Sequence, residues 1–159
     1  MKPLNSIRIS GREVLPFVEG GKGISISNGE SSGAWSAAGG VGTFSAVNAD
    51  ALDKNGNLIP VIYEGKTRKE RHIELVQYSI QGGITQAKIA SERSNGEGRL
   101  HMNVLWEMAA VEEILHGILE EVSPLIHGVT CGAGMPYKIA QITASYGIYY
   151  YPIVSSGRA

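Results

Sequence analysis

Cysteine is almost missing from this 159-residue chain. The single thiol, Cys131, excludes an intrachain disulfide and with it the small stapled folds of oxidising compartments. An excess of one charge is missing too. With 14 Lys and Arg against 15 Asp and Glu the net charge is −1, so no global field draws the chain to nucleic acid or to an anionic membrane. No apolar run approaches the ~18 residues of a spanning helix, and no charged-then-apolar leader precedes Arg12. These absences describe a single domain, residues 1–159, in the cytoplasm, long enough to bury a core.

Complete ligand motifs are also absent. Gly21-Lys22-Gly23, Gly40-Val41-Gly42 and Gly132-Ala133-Gly134 each lack the third glycine of a dinucleotide fingerprint. Gly65-Lys66-Thr67 ends like a phosphate-binding loop, but Pro60 stands where its first glycine belongs, so the segment reads as a helix start. The four histidines are scattered, with His72 and His116 on helices and His101 and His127 at the amino ends of strands, and none has metal-ligand spacing. In parallel α/β folds ligands collect at the opposite, carboxyl ends, so structural or surface roles suit all four.

What the chain has is glycine, concentrated between Phe17 and Phe44. That stretch reads as an apolar strand, a glycine turn at Gly20, Gly21 and Gly23, a short helix through Ala34–Ala38 capped by Asn28 or Ser31, and a strand entered through Gly39, Gly40 and Gly42. Residues 1–13 form a short leading strand or an arm. The polar insertion after Val47 is a long surface loop of the kind that serves as a lid or binding segment. Thr67 and Glu70 form a capping box opening a helix with Ile73, Val76, Gln77 and Ile80 on one face, ending near Gly82 and Gly83, with a second helical stretch over Ala87–Glu92. Leu100–Leu105 alternates as a strand does, and Val111, Ile114, Leu115, Ile118, Leu119 and Val122 make one helical stripe. Strand Leu125–Thr130, a helix opened by Pro136 and closed by Gly147, and strand Tyr149–Val154 complete the order. With Val14–Glu19 and Val41–Ser45 this makes five parallel strands with helical crossovers, an open doubly wound sheet or part of a (β/α) barrel.

Three residues stand out chemically. Asparagine is uncommon in strands, and Asn103 is either a core amide satisfied by neighbouring backbone or an amide set to bond a ligand's ring edge. Cys131 lies beside glycines at a strand's carboxyl end, where a buried inert thiol is the simpler reading. Lys22, between glycines, either meets a phosphate or is solvated.

The segments GGKGISIS with AAGGVGTF, then HMNVL, HGVTCGAGMP and YYYPIVSSGRA, in that order, resemble the successive strand ends of the nitronate monooxygenases, also called 2-nitropropane dioxygenases. That family is similar in fold to the flavin-dependent enoyl-acyl-carrier-protein reductases. The resemblance covers about Leu15 to Ala159. It implies a TIM-type (β/α)8 barrel that binds FMN and oxidises alkyl nitronates with molecular oxygen, here represented by about five strands of its amino-terminal part. By matching position Gly20, Gly21 and Lys22 lie along the flavin through their backbone and Asn103 bonds the ring system. Gly132 and Gly134 leave room at the fourth strand end, and Ser155 and Ser156 close the fifth. Family members usually carry methionine where this chain has Lys22. The family's catalytic histidine segment and its later phosphate-binding glycine loops have no counterpart up to Ala159, so the resemblance leaves the catalytic residue unassigned and the isolated chain inactive. An enoyl reductase acting with a reduced nicotinamide is the alternative enzyme. A non-catalytic half-barrel that associates through open sheet edges, with itself or a partner chain, is the alternative outside enzymes.

Overall fold

The computed structural model describes residues 4–23, 25–132 and 137–154. Two short strands, β1 (Ile7–Ile9) and β2 (Arg12–Val14), pair antiparallel as a hairpin. Its two-residue turn has Ser10 at φ 46° and Gly11 at φ 77°, the left-handed geometry whose twist suits a hairpin. Then come α1 (Gly29–Ala37), β3 (Val41–Ser45), α2 (Arg68–Ser94), β4 (Arg99–Leu105), α3 (Val111–Val122), β5 (Gly128–Gly132), α4 (Tyr137–Ser145) and β6 (Tyr149–Pro152). The last four strands form one parallel sheet in sequential order, β3-β4-β5-β6.

Sequential order has a consequence for the helices. Right-handed crossovers that always advance toward the same edge place every helix on the same face. Accordingly Phe44, Leu100, Met102, Val104, Val129 and Cys131 share one buried core with Ile84 of α2, Leu115 and Ile118 of α3 and Ile139 of α4. The other face of the sheet carries Thr43, Ser45, His101, Asn103 and Thr130. It is covered by the amino-terminal arm, so that Thr43, Ser45, His101 and Asn103 are buried although polar.

Val14–Glu19 is not a regular strand of the sheet. Only Val18 bridges, in parallel, to Val41, with Glu19 N–H donating to Val41 O and Val41 N–H to Phe17 O. Pro16 lacks a donor, and the Phe17 N–H turns back to Leu15 O at 2.8 Å, which breaks the extended run. Glu19 covers the remaining edge of β3 with its side chain, accepting from Thr43 N–H at 3.1 Å and from the Ser31 hydroxyl at 2.8 Å.

A second departure concerns α2, which runs 27 residues without stopping at Gly82 and Gly83. Those glycines are contact points. A Cβ on Gly82 would collide with Ala49 O, and one on Gly83 with the Ile118 side chain. The capping box expected at Thr67 and Glu70 opens α2, and at α1 Asn28 is the cap while Ser31, the alternative cap, completes a reciprocal box with it. Leu125 belongs to a 3-10 turn, Ser123–Leu125, and the fourth strand of the expected set begins only at Gly128. Pro136 lies outside the described residues.

At the amino end of the sheet the hairpin is pinned by a buried polar cluster. Ser10 Oγ lies 2.8 Å from His101 Nε2 and 2.9 Å from the Tyr151 hydroxyl, while Tyr151 stacks on the His101 ring at 4.8 Å. Arg99 Nε donates to Ser10 O, and His127 Nδ1 accepts from Leu100 N–H at 3.1 Å. Burial, then the neighbouring His127 and Arg99, pushes His101 down to about 4; burial and Arg99 push His127 down to about 4.

Two tests follow from this architecture. Gly82→Ala gains helix propensity of about 1 kcal/mol but must displace the Ala49 carbonyl, so urea unfolding should show a net loss of about 2 kcal/mol or more. For pH, the unfolded chain binds protons at His101 and His127 below the ordinary value of 6.5, whereas the fold holds both neutral down to about 4. Stability is therefore full above pH 6.5 and declines as pH falls toward 4, by at most about 3 kcal/mol for His101 and less for the more exposed His127. Denaturant midpoints between pH 7.5 and 5, a range largely above carboxylate titration, should show this slope, and His101→Gln should flatten it.

Candidate functional site

The carboxyl ends of β3, β4 and β5 bring together residues that are far apart in sequence. Asn103 is the fifth residue of β4 and opposes Ser45 of β3 and Thr130 of β5 in register. Alternation along the strand turns Met102 into the helix-facing core and Asn103 toward the arm. There it meets Gly21. A Cβ at position 21 would collide with Asn103 Cβ and would lie 3.1 Å from its Oδ1, so only glycine permits this approach.

Asn103 is 3% exposed. Its Oδ1 accepts from the Thr130 hydroxyl at 2.9 Å, and its backbone carbonyl accepts from Ala46 N–H at 2.9 Å. No hydrogen bond from its amide Nδ2 is found among the described residues. A buried amide with one end satisfied and the other free can donate to a ligand presented at the strand ends.

The glycine turn is held by a residue that the sequence reading passed over. Ser27, 1% exposed, donates its hydroxyl to Gly20 O at 3.0 Å and accepts there from Lys22 N–H at 3.0 Å. Its own N–H donates to Lys22 O, and its carbonyl accepts from Ser45 N–H, which ties the turn to the end of β3. The Lys22 amide is thus committed to the protein, and its side chain is exposed. Nothing in composition marks one serine among several as this clasp. Its only sequence signal is the position between the glycine turn and the Asn28 cap.

Gly132 ends β5, and a Cβ there would sit 3.5 Å from Ile153, an ordinary contact, so described neighbours do not themselves require glycine at that position. Gly134, Ser155 and Ser156 lie outside the described residues. Cys131 is fully buried on the helix side, its thiol pushed up to about 11 by burial, so it is no nucleophile. A further cleft of about 570 Å³ lies between the long loop and α2, lined by Ile59, Ile62, Glu64, Glu74, Gln77 and Tyr78 among others; none of the expected site residues lines it. Among the described residues no group of three or more His, Cys, Asp and Glu could hold a metal ion, and no helix is long and apolar enough to cross a membrane.

Neither the models of known protein families nor the curated proteins searched match this chain. The site therefore rests on its geometry. Gly21→Ala should push the turn off Asn103 and open the Ser27 clasp, at a cost of about 1–3 kcal/mol. Amide hydrogen exchange should then accelerate at Lys22 and Ser27, while α3 stays protected.

Proposed function

We propose that this chain supplies the flavin-ring edge of an FMN-dependent barrel enzyme that oxidises alkyl nitronates with molecular oxygen. One observation carries the reading. Gly21 and Asn103, which the family resemblance assigns separately to the flavin, are 82 positions apart and lie in contact at the carboxyl ends of parallel strands, with the Asn103 amide free to donate. Ligands in parallel α/β folds bind at that end.

The fit to FMN is a fit to the ring. A glycine turn without Cβ allows a flat group to lie close, and Asn103 Nδ2 offers the donor for a ring acceptor. The amino end of α1, an obvious place for a phosphate, is already occupied: Asn28 caps Ser31 N–H, and the Gln86 side chain accepts from Gly29 N–H at 2.7 Å. The described residues thus hold the ring edge and leave the phosphate to others. When bound, the flavin supplies the electron acceptor that nitronate oxidation needs. This chain's part is to orient the ring through Asn103, to keep the turn in place through Ser27, and to seal the far end of the sheet with the hairpin.

The same-facing helices and sequential strand order support a barrel over a doubly wound sheet, which would place helices on both faces. An enoyl reductase on such a barrel would use the same ring edge. The reaction tells them apart, by nitronate-dependent oxygen uptake in one case and by nicotinamide oxidation with an enoyl thioester in the other. These assays belong to a protein in which the barrel is complete.

Binding can be read on the chain itself. Titrated into it, riboflavin and FMN should perturb their visible spectra with weak and similar affinities, since the phosphate gains little. Asn103→Ala should weaken both by about 1 kcal/mol, close to fivefold, for the lost hydrogen bond. Unchanged affinity in that variant would remove Asn103 from the site, and a strong preference for FMN over riboflavin would place a phosphate site within this chain.

A further inference from the structure

We infer that Thr130 is a positioning residue for this site: its hydroxyl holds Asn103 Oδ1, sets Nδ2 as the atom that meets the ligand, and so selects a ring edge that presents a hydrogen-bond acceptor. The inference rests on the flavin-edge reading for the ligand's identity, and on geometry alone for the amide's orientation.

An asparagine amide has no intrinsic preference between its two flipped orientations; its neighbours decide. Thr130 stands directly opposite Asn103 in the β4-β5 register, with its Oγ1 2.9 Å from Oδ1. No other acceptor for that hydroxyl is found among the described residues. With Oδ1 toward Thr130 the hydroxyl proton is used, and only the Nδ2 hydrogens remain to be met. In the flipped orientation Nδ2 would donate to Oγ1, and the hydroxyl proton and the amide oxygen would both lose this bond and need other partners. Fewer polar groups are orphaned in the first arrangement, so it is the stable one.

The other neighbours do not compete for the role. Ser45, opposite on β3, accepts from Val47 N–H through its Oγ at 3.2 Å and makes no bond to the Asn103 amide among the described residues. Gly21 presents no side chain, and Oδ1, not Nδ2, is the amide atom nearer to its Cβ position. Nδ2 is therefore the donor of this amide that is left unused. A ligand edge bearing a carbonyl oxygen or an unprotonated ring nitrogen is complementary to it, and an edge bearing N–H at that place is rejected because two donors would face each other.

The test has one arm without ligand and one with FMN as the probe. In the ligand-free chain the 13C resonance of the Asn103 side-chain carbonyl reports hydrogen bonding at Oδ1. Thr130→Val should move it upfield and Thr130→Ser should restore it. A response confined to the side-chain 15N resonance would mean that Thr130 accepts from Nδ2, and would overturn the orientation. In the second arm Thr130→Val should weaken FMN about fivefold, the effect of freeing one buried polar partner, while Thr130→Ser binds within about twofold of the parent. Asn103→Asp keeps the bond to Thr130 but turns a carboxylate oxygen to the ligand, and should abolish binding. FMN binding that survives Asn103→Asp, or is indifferent to Thr130→Val with the fold intact by circular dichroism, overturns the acceptor-edge selection. Absence of any FMN signal in the parent overturns the flavin reading and the ligand class together, whereas the carbonyl resonance still decides the orientation.

Discussion

Backbone contact through glycine is the constraint on which this fold depends. At Gly42 of β3 a Cβ would collide with Ser32 O of α1, at Gly33 of α1 with the Arg93 side chain of α2, and at Gly83 of α2 with Ile118 of α3. Gly117 of α3 in turn faces Ile80 of α2, with its Cβ position 2.6 Å from Ile80 Cδ1. Each helical glycine costs about 1 kcal/mol in propensity, and the chain accepts several because the layers could not otherwise close. The close seam brings β3, α1, α2 and α3 into one shell on a single face of the sheet. The opposite face is then left to the amino-terminal arm, and it is there that polar side chains accumulate.

That division separates stability from chemistry. The helix-facing side of the sheet is filled by Phe44, Leu100, Met102, Val104, Val129 and Cys131, a packing surface with no group that could act on a ligand. The arm-facing side has two poles. At the amino pole Ser10, His101 and Tyr151 form a network with the hairpin in which Ser10 and His101 are buried. At the carboxyl pole Thr130 bonds Asn103, and Gly21, in the turn that Ser27 holds, packs against it, leaving the Asn103 amide with a hydrogen-bonding group to spare. The first lies at the amino end of the sheet and the second at the carboxyl end, where ligands of parallel α/β folds bind. This difference, more than residue type, is what separates the buried histidines from the asparagine as candidates for ligand binding.

Much of this was readable from the chain, and the failures have physical causes. Strands β3 and β4, helix α3 and the Thr67–Glu70 capping box declare themselves through local periodicity and through side-chain-to-backbone spacing, which need no tertiary information. The break assigned at Gly82 and Gly83 went astray because a glycine that stops a helix and a glycine that admits a neighbour are the same letter. Only the Ala49 carbonyl and the Ile118 side chain distinguish them. The arm from Val14 to Glu19 is apolar enough for a strand, but Pro16 and the Phe17 turn leave one bridge, and the Glu19 carboxylate completes the edge of β3 in a way that no propensity records. Asn103 was conspicuous as an asparagine inside a strand. Ser27 and Thr130 were not, since serine and threonine are ordinary in loops and strands and their roles come from what folding places beside them.

The outer strand β6 shows how far the sheet extends and in what manner. Tyr149 N–H donates to His127 O and Ile153 N–H to Cys131 O, so the odd positions face β5. The even positions, Tyr150 and Pro152, then face the free edge, and proline has no N–H to offer. Between Tyr150 and Val154 that edge presents carbonyls without a donor, which discourages indiscriminate strand pairing while leaving acceptors for a strand of matching register. Tyr149, Ile153 and Val154 are each more than half exposed beside it. The Asn103 site lies two strands from this edge, on the arm-facing side of β4. A parallel strand paired with β6 in that register would extend the sheet by one more strand on the side away from β5.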